Sequence, residues 1–596
     1  DSSTSRGLGD VYKRQRDGAH LDDFSASDRI ELSDNTIEQN GAGAFFDSYG
    51  VYVGVGNTQS LVISNTIRDN EVFGVLTQGR QSTVRDNLVA RNDIGINAPW
   101  QSTVDPRLIV DNEVVDNRET GITSNDADTT VTGNRVHGHV TFSFSTGIFV
   151  QDATASDNTV YDNRTGVGVF LGGVAQGNRV FNNEIGISLK DAASATGNRV
   201  YSNQIGIASE NNSSYFFRGS IDHNEVYANS EAAISIHRAT LGSVLEHNTI
   251  VQATGDAVQV DQGSRDLFIR NNLVVVSGGY AFAVNADSQS GYDSDFNLLR
   301  ITGTGKLGKW QGVDLPTLSD WSYQLSLDWH SLSADPLFLD LDGADNQLGF
   351  VAGVDHGADD RFTVSANSPA IDRADPLSPY LLEPAPNGNR ANLGADGNTA
   401  RAVSSLIRSS QWSSPAGAER LEAGAPTQLA WRVTGLLPLE PVAIIDVAGS
   451  TSGVWQFNDL SNSSSFLERI PDSDSITLAG VTDPAPEAVY RTYETSNSGP
   501  GFGLSYAAQL PAGDYHLRLH FAEPFATATG SRVFDIRLQG ATVEDDLDLV
   551  AAVGGPQRAL VREFDFSVTP DGQFSLDLLN TSSDLGAILS GWLLYT

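Results

Sequence analysis

The sequence predicts an all-β protein in two parts, a parallel β-helix built as a solenoid of short stacked strands, followed by an antiparallel β-sandwich. Three observations carry this. An N-x-[VI]-x-x-N pattern recurs from Asn35 onward at intervals of 20 to 30 residues. Apolar residues alternate through that region without helical 3.6-residue spacing. Beyond about residue 441 the alternation lengthens into runs such as GDYHLRLHFAEPF, Gly513 to Phe525, separated by turn residues.

The repeat comes first. Its Asn pairs are Asn35/Asn40, Asn65/Asn70, Asn87/Asn92, Asn112/Asn117, Asn158/Asn163, Asn178/Asn183, Asn198/Asn203 and Asn224/Asn229, with further copies at Asn134 (with His139), Asn248 (with Ala253) and Asn272 (with Ser277). A strand of three or four residues cannot bury its own apolar face, so each coil must stack on the next. Stacking lines up Ile37, Ile67, Val89, Val114, Val136, Val160, Val180, Val200, Val226, Ile250 and Val274 as one inward row. The Asn side chains at the corners are expected to hydrogen-bond along the axis and satisfy turn backbone. A G-[IV] step follows, at Gly50, Gly74, Gly95, Gly121, Gly147, Gly166, Gly186 and Gly206. Glycine is expected there to supply a positive φ at a tight corner.

These residues resemble the right-handed parallel β-helix repeat of pectate-lyase-like secreted proteins, over residues 16–300. The resemblance implies the scaffold and leaves its chemistry open, because many activities share it. Aligning the coils on the Gly-Ile step places Phe170, Lys190, Glu210, His237 and Asp261 on one outward row, with Asp191 and Arg238 beside it. Two chemistries fit this strip. In elimination from a uronate, a cation such as Ca²⁺ or Arg238 neutralises the carboxylate while Lys190 or His237 takes the adjacent proton. In glycoside hydrolysis, Glu210 with Asp261, or Asp191 with Glu210, supplies the carboxylate pair. His20 with Asp22 and Asp23 is a second acid–base cluster.

Residues 301–402 lose the repeat and carry DWHSLSADPLFLD, SPAID and PNGNRANLGADGNT, strings similar to the extended segment that closes the last coil of bacterial β-helix proteins. Within them Asp340, Asp342 and Asp345 offer hard oxygen ligands for Ca²⁺. Residues 403–440, rich in Ser, Ala, Gly and Pro, read as a linker. Residues 1–15 (DSSTSRGLGDVYKRQ) lack the repeat, resemble translated adapter sequence and are expected to lie outside the fold.

Residues 441–596 form the sandwich. LPAGDYHLRLHFAEPF, GSRVFDIRLQG and AILSGWLL together resemble malectin and malectin-like sugar-binding modules. The resemblance implies sugar binding through Phe525, Asp584, Tyr490 and Tyr493, with aromatic faces packing on the sugar ring and the carboxylate accepting hydroxyl hydrogen bonds. The usual T-E-R-Y order is missing around VYRTYETS, which weakens the two tyrosine assignments.

Composition narrows the partners. Lys+Arg 37 against Asp+Glu 74 gives a formal charge of −37, which repels nucleic acid and anionic membrane surfaces. Without cysteine there is no disulfide framework and no thiolate nucleophile. No apolar run reaches the roughly 18 residues of a membrane span. With no methionine at the start, any signal peptide is expected upstream. The expectation is a monomeric, secreted or surface-exposed protein that binds and modifies polysaccharide as a lyase or hydrolase, the alternative being a non-catalytic carbohydrate-binding adhesin or surface structural protein.

Overall fold

The computed structural model describes residues 5–6, 11–13, 17–21, 30–41, 48–55, 59–101, 106–209, 215–406, 409–414, 421, 426–427, 429–434, 441–447, 456–457, 465–471, 474–569 and 572–595. They form two compact units, residues 1–435 and 436–596. The first is a right-handed parallel β-helix with three sheets of 13, 13 and 14 strands. The inward row runs as the repeat dictates, and every residue from Ile37 to Val274 named above is completely buried.

Two corner ladders hold the coils in register. In the first, Asn178 donates its backbone N–H to Asn198 Oδ1 at 2.9 Å, and its amide donates to the same oxygen at 2.9 Å and to the Ala155 carbonyl at 2.8 Å. The second ladder runs from Asn40 with two substitutions. His139 takes one rung, its Nδ1 lying 2.8 Å from Asn163 Oδ1. Gln252, not the Ala253 that the spacing indicated, takes another, accepting from Asn229 N at 3.0 Å.

The glycines do a different job from the one expected. Gly50 to Gly206 of the G-[IV] step are absent from the positive-φ positions, which instead fall on the residues just before the ladder asparagines, such as Asp86, Asp111 and Asp162 at φ 57, 54 and 54. Space is the reason for glycine: a Cβ at Gly186 would lie 2.5 Å from the Gly206 carbonyl and 2.9 Å from the Asn203 amide. The sheets also begin before residue 16, since Ser5–Arg6 pairs in parallel with Leu32 and Ser33, and Val11–Lys13 with Thr36 to Glu38.

The segment after the last coil does more than close it. The helix Leu318–Leu325, capped by Thr317, places Trp321 over the end of the core against Phe282 and Trp310. Asp328 ends the first Asn ladder, accepting from the Asn297 amide at 3.0 Å and Trp321 Nε1 at 3.0 Å. Burial raises its carboxyl above the usual range. The chain then folds back over the outer face of the second sheet. A stacked ladder of Tyr161, Phe181, Tyr201 and Tyr227, ring centres 5.0 to 5.1 Å apart, stands there. Phe350 and Phe362 cover it, and Asp355 fixes the strap through Arg179 at 2.7 Å and Tyr201 Oη at 2.7 Å. Within the expected linker, Ser409–Ser414 and Ala430–Thr434 pair as an antiparallel hairpin.

The second unit is the antiparallel sandwich, with sheets of five, three and four strands. Leu517, Leu519, Phe521, Phe534, Ile536, Phe574, Leu576, Leu578 and Trp592 fill its core.

Candidate functional site

On the outer face of the third sheet, strand register aligns Gly168, Ser188, Ala208 and Ser235 on successive coils. These small residues are buried and lie between larger, partly exposed side chains, an arrangement we read as a trough. Thr165, Ile185 and Ile205 rise on one side, and Phe170, Lys190, His237 and Asp261 on the other. Tyr215 and Phe216, both exposed, extend the second wall. Tyr215 meets Phe170 edge to face at 4.8 Å, and the Arg238 guanidinium stands 4.6 Å over the Phe216 ring.

Of the residues expected on this row, Phe170, Lys190, His237 and Asp261 lie there, with Asp191 and Arg238 at the turn beside it. His237 and Asp261 are register partners on adjacent coils, and His237 Nδ1 hydrogen-bonds Asp261 Oδ1. A carboxylate only accepts, so Nδ1 carries the proton and Nε2 is left basic. Ser235 Oγ lies 3.1 Å from that Nε2. The Ser209 hydroxyl pins the histidine's backbone, accepting from His237 N at 2.6 Å and donating to its carbonyl at 2.9 Å. Lys190 sits two coils away, about 9.6 Å along the axis at the usual strand spacing. Asp191 is held by Arg218 in an ion pair. Glu210 falls outside the described residues, as do Asp22 and Asp23, while His20 lies on the strand Asp17–Leu21. With Asp261 committed to orienting His237, the arrangement favours a base over a pair of hydrolytic carboxylates. Ser235 was not singled out in the sequence, although its spacing two residues before His237 puts both side chains on one face of a strand.

The expected calcium ligands do not converge. Asp345 is taken by His356, whose Nδ1 lies 2.6 Å from its Oδ2 and holds the carboxyl below its ordinary range. Among the described residues no group of three His, Asp or Glu side chains is placed to hold a metal ion.

In the sandwich, two of the four sugar-binding assignments are corrected. Tyr490 is completely buried, with its hydroxyl 2.8 Å from His520 Nδ1 and accepting from Ala485 N at 3.2 Å. Burial pushes that phenol up to about 12. Tyr493 is 3% exposed and donates to Glu468 at 2.7 Å. Rings packed in a core cannot stack on a sugar. Phe525, in contrast, is 58% exposed, and Asp584 is exposed on its loop. A buried pair that the sequence reading missed organises both: Glu523 accepts from Arg532 Nε at 2.6 Å and from the backbone of Ala526 at 2.9 Å. Arg532 also donates to the Gly586 carbonyl and lies 5.9 Å under the Phe525 ring. Next to Arg532, the Ser531 carbonyl accepts from the Leu585 amide at 3.1 Å and from the Ser582 hydroxyl at 3.3 Å. The Phe525 turn and the Asp584 loop are thereby tied to one segment.

Comparison with known proteins agrees with both units. Residues 451–584 match the family model of the Malectin domain. Residues 100–240 match that of the right handed beta helix region, and residues 8–166 that of the periplasmic copper-binding protein NosD. Among solved structures, the plant peptide RALF23 complex with FER and LLG2 is 19% identical, with 26% of this chain and 48% of that chain covered at a TM-score of 0.25. The ANX2 ectodomain from Arabidopsis thaliana is 18% identical, covering 26% and 49% at 0.24. The ANXUR1 extracellular domain from the same plant is 18% identical, covering 26% and 48% at 0.24. The chain spans about half the length of these structures. No curated protein matches it.

Proposed function

We propose that this chain, which joins a right-handed β-helix to a malectin domain, is a secreted or cell-surface protein that binds polysaccharide and modifies it in the third-sheet trough. The observation that carries the reading is the Asp261–His237 couple on the outer face of the third sheet, which leaves His237 Nε2, beside Ser235, as a proton acceptor. Nothing in the solenoid core needs this pair, because the inward residues of the same strand, Ile234 and Ile236, already complete the packing.

Base chemistry on an acidic glycan follows from the neighbours. Lys190 and Arg238 bring positive charge to a wall of a strongly acidic protein, where a uronate carboxylate can be neutralised. His237 Nε2 then takes the proton on C5, beside that carboxylate, the C4–O bond breaks as the C4–C5 double bond forms, and the departing oxygen takes a proton from water. Phe170, Tyr215 and Phe216 offer ring faces to the sugar. In the second unit, Phe525 and Asp584 hold a sugar by stacking and by carboxylate–hydroxyl hydrogen bonds. No described helix is long and apolar enough to cross a membrane.

Among the described residues, no group of three His, Asp or Glu side chains is placed to hold the copper named for the NosD family. The chain has no Cys or Met, the soft ligands copper(I) selects, and His139 is spent on the Asn ladder.

The test is product analysis on a panel of polyuronates and neutral polymers. Unsaturated product from a polyuronate, reduced about a hundredfold or more in His237→Ala, is expected. No product from any polymer, or equal product from His237→Ala, overturns the reading and leaves a carbohydrate-binding surface protein.

A further inference from the structure

The imidazole nitrogen that faces the trough is not alone. Ser235 Oγ lies 3.1 Å from His237 Nε2, and His237 Nδ1 is bonded to Asp261. Hydroxyl, imidazole and carboxylate thus stand in line, with the proton on Nδ1 fixed by the carboxylate and the Nε2 lone pair aimed at the serine. Strand geometry makes the line rigid. Ser235 and His237 are two residues apart on Ala232–His237, so their side chains leave the same face. Asp261 is the register partner of His237 on the next coil. The Ser209 hydroxyl holds the His237 backbone from the coil before.

We infer that Ser235, His237 and Asp261 form a nucleophile, base and orienting acid that remove short O-acyl esters from the glycan in the trough. This deepens the reading of the trough as a glycan site and rests on it. The floor around the serine sets the size of the acyl group. Ser235 is 1% exposed, between Ala208 and Gln259 on the neighbouring coils, so only a group as small as acetyl reaches its oxygen. Its placement on the floor, with the sugar above it and the acyl substituent pointing down, suits an ester carried on a ring hydroxyl.

The steps balance without a co-reactant other than water. Ser235 Oγ bonds to the ester carbonyl carbon while its proton passes to His237 Nε2, and Asp261 stabilises the imidazolium. The bond from that carbon to the sugar oxygen breaks, and the sugar oxygen takes the proton from Nε2. Water then adds to the acyl-serine, giving its proton to Nε2, and Oγ leaves as it recovers that proton. The products are the free sugar hydroxyl and the carboxylic acid.

Two measurements on the full chain test this. The chain is treated with p-nitrophenyl acetate carrying an isotopic label in the acetyl group, quenched in acid and peptide-mapped, and acetate release is followed from acetylated xylan and acetylated polyuronate beside chain cleavage in the same tubes. Label on Ser235 and acetate release, reduced about a thousandfold in Ser235→Ala and in His237→Ala, are expected. Absence of label at Ser235, or acetate release unchanged in Ser235→Ala, overturns the inference whether or not the variant's fold is perturbed, because the label is read on the unaltered chain. Chain cleavage lost in His237→Ala with no acetate released at all sinks the triad and keeps the elimination reading. Acetate released with no chain cleavage sinks the elimination and keeps the triad.

Discussion

The outer faces of the second and third sheets are made by the same coils, on the same core, and they are finished in opposite ways. The second sheet puts large rings outward, Phe181, Tyr201 and Tyr227, and all three are buried because the returning chain lies over them. The third sheet puts Gly168, Ser188, Ala208 and Ser235 outward at the corresponding levels and flanks them with charge and exposed aromatics. A row of stacked rings gains stability by being covered, since each buried aromatic removes a large apolar area from water. A row of small side chains gains little from a cover and leaves room for a ligand. Outward positions therefore serve the fold on the second sheet, where rings are buried under the returning chain, and are left to small residues on the third, where the proposed function is placed.

Breaking the covered face gives the largest expected effect on stability. Tyr201→Ala leaves a hole between Phe181 and Tyr227 and removes the hydroxyl bonded to Asp355, and we expect a loss of about 3 to 5 kcal/mol by denaturant unfolding. The His237→Ala change on the open face has the inverse signature. Glycan product falls about a hundredfold or more, while stability moves by less than about 1 kcal/mol in the same unfolding assay, because the ring stands on the outer face and is partly exposed.

The corner ladder belongs to neither face and sharpens the comparison as a shared control. Burial lowers the imidazole of His139 from its ordinary range to about 4. Its folded value lies below the unfolded one near 6.5, so the unfolded chain binds the extra proton first as pH falls. Stability is therefore full above about pH 6.5 and falls by about 3 kcal/mol as the pH drops to 4. His139→Asn, which restores the ladder residue, is expected to remove this share of the acid destabilisation while that of His247, which burial lowers to about 3, remains, measured by melting temperature from about pH 7 to about pH 4. The smallest effect is expected in the sandwich. Phe525→Ala with Asp584→Ala removes a glycan-dependent rise in melting temperature and leaves the melting temperature without glycan nearly unchanged, as both side chains are exposed.

The inward half of the solenoid was legible because burial and register act on every coil alike. Val160, Val180 and Val200 had to coincide once the asparagines set the period, and they do. The glycine of the G-[IV] step was legible in position and misread in cause, since a sequence pattern does not separate a positive φ from a lack of room. The covered face was legible in part: Tyr161, Phe181, Tyr201 and Tyr227 each follow an inward valine and so must point outward, a signal that something covers them. What covers them is a strap lying far along the chain, around Phe350 and Phe362, which no local pattern gives. His237, Asp261, Lys190, Asp191 and Arg238 come from aligning coils, whereas Ser235 is passed over because one serine among many carries no charge to mark it. Tyr490 and Tyr493 illustrate the opposite error, aromatics placed in a binding loop by likeness that the sandwich uses as core.

A crystal structure of the His237→Ala chain with a polyuronate oligosaccharide would locate the glycan. Sugar density is expected along the solenoid axis on the outer face of the third sheet, over Ser188, Ala208 and Ser235, with rings against Phe170 or Phe216. Density confined to the Phe525 and Asp584 loops, or lying on the second sheet, would contradict this placement.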